Sequence, residues 1–167
     1  MPSTMRLRSE NGPTLELTIL GYEVPKPRPK EHNPHNDWLR AHVAVKTPRG
    51  SWDATGTPLL TTEVADLAFW LEAIATGGET GETKEFFEPL LYFEYRGTRG
   101  GNVLIRIGFG LAFIPPWAGR YEVDASDHCF DFEVTTTELV RASHSLRVQG
   151  EMFPFRPMVT NHLGNRN

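Results

Sequence analysis

Apolar and polar side chains alternate along several short stretches of the chain, and this period of two predicts half-buried β-strands. The longest alternating run covers residues 103–113, where every second side chain is large and apolar. Gly108 and Gly110 fall on the opposite face of that run, which indicates a bend or a close neighbour. The six predicted strands begin near residues 15, 39, 52, 91, 103 and 130.

Two further stretches repeat their apolar positions every three to four residues, which predicts amphipathic helices. The first helix has Thr61 or Thr62 as its capping residue and ends at Gly77. Ahead of the second, Thr135 and Glu138 have the spacing of a capping box. The apolar stripe of the first helix consists of Val64, Leu67, Ala68, Leu71, Ile74 and Ala75.

The predicted order is three strands, a helix, three strands and a helix, with links short enough for hairpins. This order predicts the α+β class, with a single antiparallel, curved sheet of about six strands packed against two α-helices. A curled, barrel-like sheet with the helices across one side or opening is the alternative that the same pattern allows.

A length of 167 residues corresponds to one domain. We assign residues 14–155 to that domain and expect a flexible N-terminus at residues 1–13 and a flexible tail at residues 156–167. Repeated prolines predict an exposed Pro-rich loop at residues 24–37.

Composition narrows the class of function. The formal charge of −4 argues against nucleic-acid binding, which relies on a basic surface. No apolar run approaches the roughly 20 residues that cross a bilayer, so we expect no membrane insertion. A single cysteine and a chain start without a secretory apolar region favour a cytoplasmic protein.

The strongest metal-like pattern is His32-x-x-His35 followed by Asp37. No third His or Cys lies at a familiar spacing, so a polar loop is the favoured interpretation. His128 and Cys129 are adjacent in a predicted strand and point to opposite faces, which favours a half-buried cysteine over a shared site.

No motif for a cofactor or a covalent nucleophile occurs in the sequence, and we therefore predict neither a cofactor nor catalysis. Glu88 and Glu94 offer a pair of carboxylates for acid–base chemistry, but they lie beside Arg96, where solvated charges are the favoured interpretation. Proline-spaced Lys26 and its neighbours Arg28 and Lys30 similarly favour a solvated linker.

Four exposed positions are the predicted partner-binding residues. Arg40 and His42 lie on the polar face of the second predicted strand, and Glu94 lies on the polar face of the fourth. Phe69 lies nearly opposite the apolar stripe of the first helix, which favours a second contact surface. The tryptophans, in contrast, are expected in the core.

Five segments of the sequence form one combined pattern: residues 47–55 (TPRGSWDAT), 59–61 (LLT), 69–73 (FWLEA), 86–90 (FFEPL) and 113–117 (FIPPW). This pattern resembles bacterial WapI-like immunity proteins, over about residues 15–155. That resemblance implies a non-enzymatic module whose partner is a protein, namely the domain of a polymorphic toxin that it binds and neutralises. The acidic charge agrees with a basic toxin as partner.

Two alternatives come from other classes of function. One is a small-molecule-binding protein or an enzyme, with a pocket between sheet and helices lined by Arg106, His42 or Glu94. The other is a homo-oligomer that assembles through a strand edge or through Phe69.

Overall fold

The computed structural model describes residues 3–27, 34–119 and 125–156. These residues form eight β-strands and two α-helices, with short 3-10 turns at Pro34–Asp37, Leu111–Phe113 and Ala125–Asp127. The elements are β1 Met5–Arg8, β2 Thr14–Tyr22, β3 Trp38–Thr47, β4 Gly50–Leu60, α1 Thr61–Thr76, β5 Thr83–Lys84, β6 Leu91–Arg99, β7 Asn102–Phe109, β8 Cys129–Val134 and α2 Thr136–Glu151.

The strands form two antiparallel sheets, and the prediction of a single sheet of about six strands is wrong. The N-terminal sheet has the order β1-β2-β3-β4 and the C-terminal sheet the order β5-β6-β7-β8. Helix α1 follows β4 directly and therefore separates the N-terminal sheet from the C-terminal sheet along the chain. The α+β class, the antiparallel pairing and the two helices are confirmed.

Two strands were not predicted. In β1 the side chains of Met5 and Leu7 are buried, and Met5 pairs with Leu17 of β2. Two apolar positions are too few to establish a period of two in a sequence, which is why this segment resembled a flexible terminus. The other missed strand, β5, has only two residues.

The longest predicted strand ends earlier than its alternation indicates. Strand β7 stops at Phe109, and Leu111 has a left-handed φ of 49° at the start of a 3-10 turn. Phe113 is nevertheless fully buried, because the turn directs its ring into the core. The close neighbour predicted beside Gly108 is confirmed, since a Cβ at this position would lie 1.9 Å from the carbonyl oxygen of Ala125.

Both helices begin where the sequence predicts, but their caps differ. Helix α1 has Leu60 as its N-cap, and the Glu63 carboxylate accepts a hydrogen bond from the Leu60 N–H at 2.8 Å. Thr61 instead donates its hydroxyl to the buried Asp37 carboxylate. Gly77 ends α1 with a left-handed φ of 71°, as expected for a glycine C-cap.

Thr135 caps α2, because its hydroxyl accepts a hydrogen bond from the Glu138 N–H at 3.1 Å. The Glu138 side chain does not complete the predicted capping box. Its carboxylate accepts instead from the Arg8 N–H at 2.8 Å, which connects α2 to the end of β1.

One hydrophobic core contains residues from both sheets and both helices. The helices pack side by side, and the Ser143 hydroxyl of α2 donates to the Ala68 carbonyl of α1 at 2.7 Å. Buried Gln149 accepts a hydrogen bond from the Ile19 N–H of β2 at 2.6 Å. Because buried polar groups are costly unless paired, these bonds fix α2 against α1 and the N-terminal sheet.

Within the described ranges, neither helix is long and apolar enough to cross a membrane. Several predictions fall outside those ranges: His32 of the metal pattern, Arg28 and Lys30 of the Pro-rich loop, and most of the predicted C-terminal tail. The other domain boundaries remain predictions.

Candidate functional site

The outer face of the N-terminal sheet presents Arg40 and His42 from β3. Arg40 is exposed beside irregularities in the register of β3 with both of its neighbouring strands. His42 is half-buried, and its Nε2 lies 2.9 Å from the Asp53 carboxylate of β4. On the same face Arg6 pairs with Glu16 at 2.9 Å. This face is therefore a polar surface with cross-strand contacts between some of its side chains.

The outer face of the C-terminal sheet presents Glu94 from β6. Its carboxylate accepts a hydrogen bond from Arg96 at 2.9 Å, and Glu94 lies opposite Arg106 in the ladder. Arg106 donates two hydrogen bonds to Asp131, at 2.8 and 3.1 Å. The hydrogen bond from Arg106 holds the pKa of Asp131 below its ordinary value. Burial and the nearby Glu94 raise the pKa of Tyr92.

Helix α1 forms a third surface together with the connection at residues 79–88. Three contacts place this connection antiparallel along one side of the helix. The Trp70 indole N–H donates to the Gly81 carbonyl at 2.8 Å, and the Lys84 ammonium lies 3.9 Å from the Asp66 carboxylate. Nearer the start of the helix, the Phe87 N–H donates to Glu63 at 2.7 Å. We call the exposed side of α1 and residues 79–88 the α1 surface.

The α1 surface is strongly acidic. Residues 63–88 contain seven of the 21 carboxylates of the chain and a single basic residue, Lys84. Three of these carboxylates have partners, because Glu63 binds two backbone N–H groups, Asp66 lies near Lys84 and Glu72 pairs with Arg147. The other four, Glu79, Glu82, Glu85 and Glu88, have no ion pair within the described part of the chain.

The α1 surface also exposes two large aromatic side chains. Phe69 of α1 is 64% exposed and Phe87 of the connection is 78% exposed. The Phe87 ring contacts the Trp38 ring at 5.9 Å between centroids, and Phe86 beside it packs against Phe93 in the core. Exposed aromatic side chains are typical of the cores of protein–protein interfaces.

The four predicted partner-binding residues thus lie on three different surfaces. Arg40 and His42 share one strand and one face, Glu94 belongs to the other sheet, and Phe69 belongs to α1. Phe87 was not among the predicted partner-binding residues. The available signal was the Phe86-Phe87 pair within a run of glutamates, which combines exposed charge with apolar area.

The metal pattern gains no support from its described members. Nδ1 of His35 lies 3.2 Å from the Glu23 carboxylate, whereas the Asp37 carboxylate accepts hydrogen bonds from Thr61. Across the described ranges no group of three or more His, Cys, Asp or Glu side chains could hold a metal ion. The Cys129 thiol donates to the Ala125 carbonyl at 3.5 Å. Glu88 lies in the bend before β6, so it does not share a strand face with Glu94.

The depressions in the described surface are open and shallow. One of about 480 Å³ lies between α1 and α2, and its lining is mostly apolar and includes Val64, Leu146 and Phe155. Another, of about 280 Å³, lies on the outer face of the C-terminal sheet beside Arg106. The space between sheets and helices is filled by core side chains. This arrangement gives little support to the alternative of an enclosed ligand pocket there.

Comparison with protein families supplies the decisive observation. The model of the immunity protein WapI-like family matches residues 6–154. The chain belongs to this family. No curated protein matches the chain.

In this WapI-like chain, two of the segments that carry the resemblance, 47–55 and 113–117, contact each other. The Trp52 indole N–H donates to the Phe113 carbonyl at 2.9 Å. The Trp52 and Trp117 rings contact edge to face with centroids 5.3 Å apart, and the Arg49 guanidinium lies 5.1 Å above the Trp117 ring. A Cβ on Gly50 would lie 2.8 Å from Trp117. These segments therefore join the hairpin of β3 and β4 to the segment that follows β7.

Proposed function

We propose that this WapI-like protein is a non-enzymatic immunity protein, which binds a bacterial polymorphic toxin domain and neutralises it in the cytoplasm of the producing cell. The observation that carries the proposal is the family match over residues 6–154. The family indicates a toxin-neutralising role in general, and the binding of a polymorphic toxin domain by this chain is the proposal.

The described surfaces support a binding function. Several charged side chains on the outer faces of the sheets pair with one another, whereas the α1 surface combines exposed aromatic rings with carboxylates that have no ion pair in the described part of the chain. Covering a surface of this composition with a complementary protein is energetically favourable. Catalysis, in contrast, requires converging reactive groups. The depression between the helices is lined mostly by apolar side chains, and the one beside Arg106 is lined mostly by charged side chains that pair with one another.

Co-expression tests the proposal. Toxin domains encoded next to this gene are expressed from an inducible promoter, with and without this protein, and growth is measured. We expect growth to be restored for one toxin and a one-to-one complex to be recovered from the purified pair. An unrelated toxin is the control and must remain lethal. If no neighbouring toxin is neutralised or bound, the proposal is wrong.

A further inference from the structure

We propose that the α1 surface is where this protein docks its partner, and that the partner presents a positively charged surface of the toxin domain. This inference rests on the proposed function, because it names the site at which that function is carried out. It starts from Phe69 and Phe87, which are the two most exposed aromatic side chains within the described residues.

The exposure of these rings is not required by the fold. In α1 the stripe that packs on the core is formed by other residues, among them Leu67 and Leu71, both fully buried. Phe69 lies on the opposite side of the helix. Phe87 follows Phe86, whose ring supplies the core contact with Phe93. A partner that covers Phe69 and Phe87 would remove their apolar area from water, which is the main source of free energy at interface hot spots.

Charge identifies the kind of partner. Glu79, Glu82 and Glu85 are exposed around the same connection and have no ion pair within the described part of the chain. Neighbouring carboxylates repel one another, and a positively charged partner surface relieves that repulsion. The same charges attract such a partner over several ångströms and so accelerate association. The outer face of the N-terminal sheet has the opposite balance, with four basic residues, Arg6, Arg8, Arg40 and Lys46, against Glu16 and Asp53. A basic toxin surface is therefore expected to choose the α1 surface over that sheet.

The α1 surface is also firmly positioned. The connection is held along the helix at three points, through Trp70, Asp66 and Glu63, and so it does not need to be ordered when the partner binds. Surfaces that are ordered in advance lose less conformational entropy on binding.

The test uses the purified full-length protein and the toxin domain that wild type neutralises, with affinity measured by calorimetry and association by stopped flow. The double variant Phe69→Ser/Phe87→Ser removes the aromatic area. We expect it to weaken binding by at least about 100-fold, because each residue is assigned a hot-spot role. The triple variant Glu79→Gln/Glu82→Gln/Glu85→Gln should slow association by about tenfold at low salt, and the difference should shrink as salt is added.

The matched control is Arg6→Gln/Glu16→Gln, which changes an ion pair on the outer face of the N-terminal sheet. It should bind within about twofold of wild type. Thermal unfolding of every variant establishes that each is folded, since all of these side chains are exposed or half-buried. An affinity loss in the control with none in the α1 variants would overturn the inference and leave the proposed function intact.

Affinity capture from the native cells separates the remaining outcomes. If wild type retains a toxin and the aromatic variant does not, both proposals are supported. If wild type and the aromatic variant both retain the toxin, only the α1 inference is overturned. Capture by wild type of a basic protein without toxin activity, lost in the aromatic variant, overturns the proposed function and leaves the docking surface standing. Capture of no partner by wild type overturns both.

Discussion

Two regions of this WapI-like protein are rich in aromatic residues, yet their rings have opposite environments. Around Trp52, the rings of Phe109, Trp117 and Phe130 lie 5.3 to 5.8 Å away, and the indole N–H is hydrogen-bonded. On the α1 surface, Phe69 and Phe87 are mostly exposed. Both regions contain segments of the same family-like pattern. A shared pattern of aromatic residues therefore contains two kinds of information, one about folding and one about what the folded surface contacts.

Charged side chains also differ between the C-terminal sheet and the α1 surface. Asp131 on the C-terminal sheet is paired with Arg106, whereas Glu79, Glu82 and Glu85 beside α1 have no ion pair in the part of the chain that the structure describes. Paired charges contribute a little to stability, and unpaired ones repel each other slightly in the free protein. If the α1 surface serves binding, substitutions there should change affinity with little effect on folding, and substitutions around Trp52 should do the reverse.

The largest expected effect is that of Gly108→Ala, close to the Trp52 cluster. The added Cβ would lie 1.9 Å from the Ala125 carbonyl oxygen, and a backbone atom cannot move aside easily. We expect a loss of at least about 3 kcal/mol in the free energy of unfolding, measured in denaturant. Gly81→Ala is the control, because its Cβ would make only an ordinary 3.5 Å contact. A change below about 1 kcal/mol for Gly108→Ala would contradict the close packing at this point.

Trp52→Ala should lower the free energy of unfolding by about 3 kcal/mol, since it removes a ring from an aromatic cluster and a donor from the Phe113 carbonyl. Trp52→Phe retains a ring and loses the donor, so about 1 kcal/mol is expected. Denaturant unfolding of the two variants separates packing from hydrogen bonding. Equal losses for both would mean that the hydrogen bond dominates and that the ring contacts contribute little.

Asp131→Asn should have a smaller, pH-dependent effect. The pKa of Asp131 is lowered in the folded protein, so its stabilisation is fully present above the ordinary Asp value of about 4 and is lost as the pH falls through the lowered folded value. The side chain is 59% exposed, and solvent screening limits the expected loss at pH 7 to about 0.5 kcal/mol. Unfolding curves from pH 7 to pH 2 should converge for wild type and variant. Glu82→Gln is the unpaired control, and a loss at pH 7 equal to that of Asp131→Asn would refute the distinction.

The smallest effect on folding is expected for Phe69→Ser, within about 0.5 kcal/mol of wild type, because the side chain is 64% exposed. Sedimentation of the same variant tests the homo-oligomer alternative. An unchanged sedimentation coefficient argues against self-association through Phe69, and a shift from dimer to monomer would assign this ring to a homodimer instead of a toxin complex.

Local patterns predicted most of the elements but not their grouping. Alternation located six of the eight strands, and helical spacing located α1 and α2, because these periods report which side of an element faces the core. The same periods do not report which strands share a ladder. The division into two sheets depends on α1, which packs along α2 and against the core directly after β4.

The sites show the same limit. Sequence alone identified Phe69 as exposed, because its angular position on α1 follows from the helical period. It did not identify Phe87, since exposure in an irregular segment depends on what packs above it. Only the folded chain places residues 79–88 beside α1, through the contacts of Trp70, Asp66 and Glu63.

The sequence by itself determined the α+β class, the two helices, most strands and the family pattern, since each of these depends on the order and spacing of side chains along the chain. The tertiary structure decided the division into two sheets, the contact of Trp52 with Trp117, and the assembly of one acidic, aromatic surface from α1 and the connection that follows it. The physical reason is that long-range packing selects among many arrangements with the same local periodicity. That choice is made by the burial of the whole core at once.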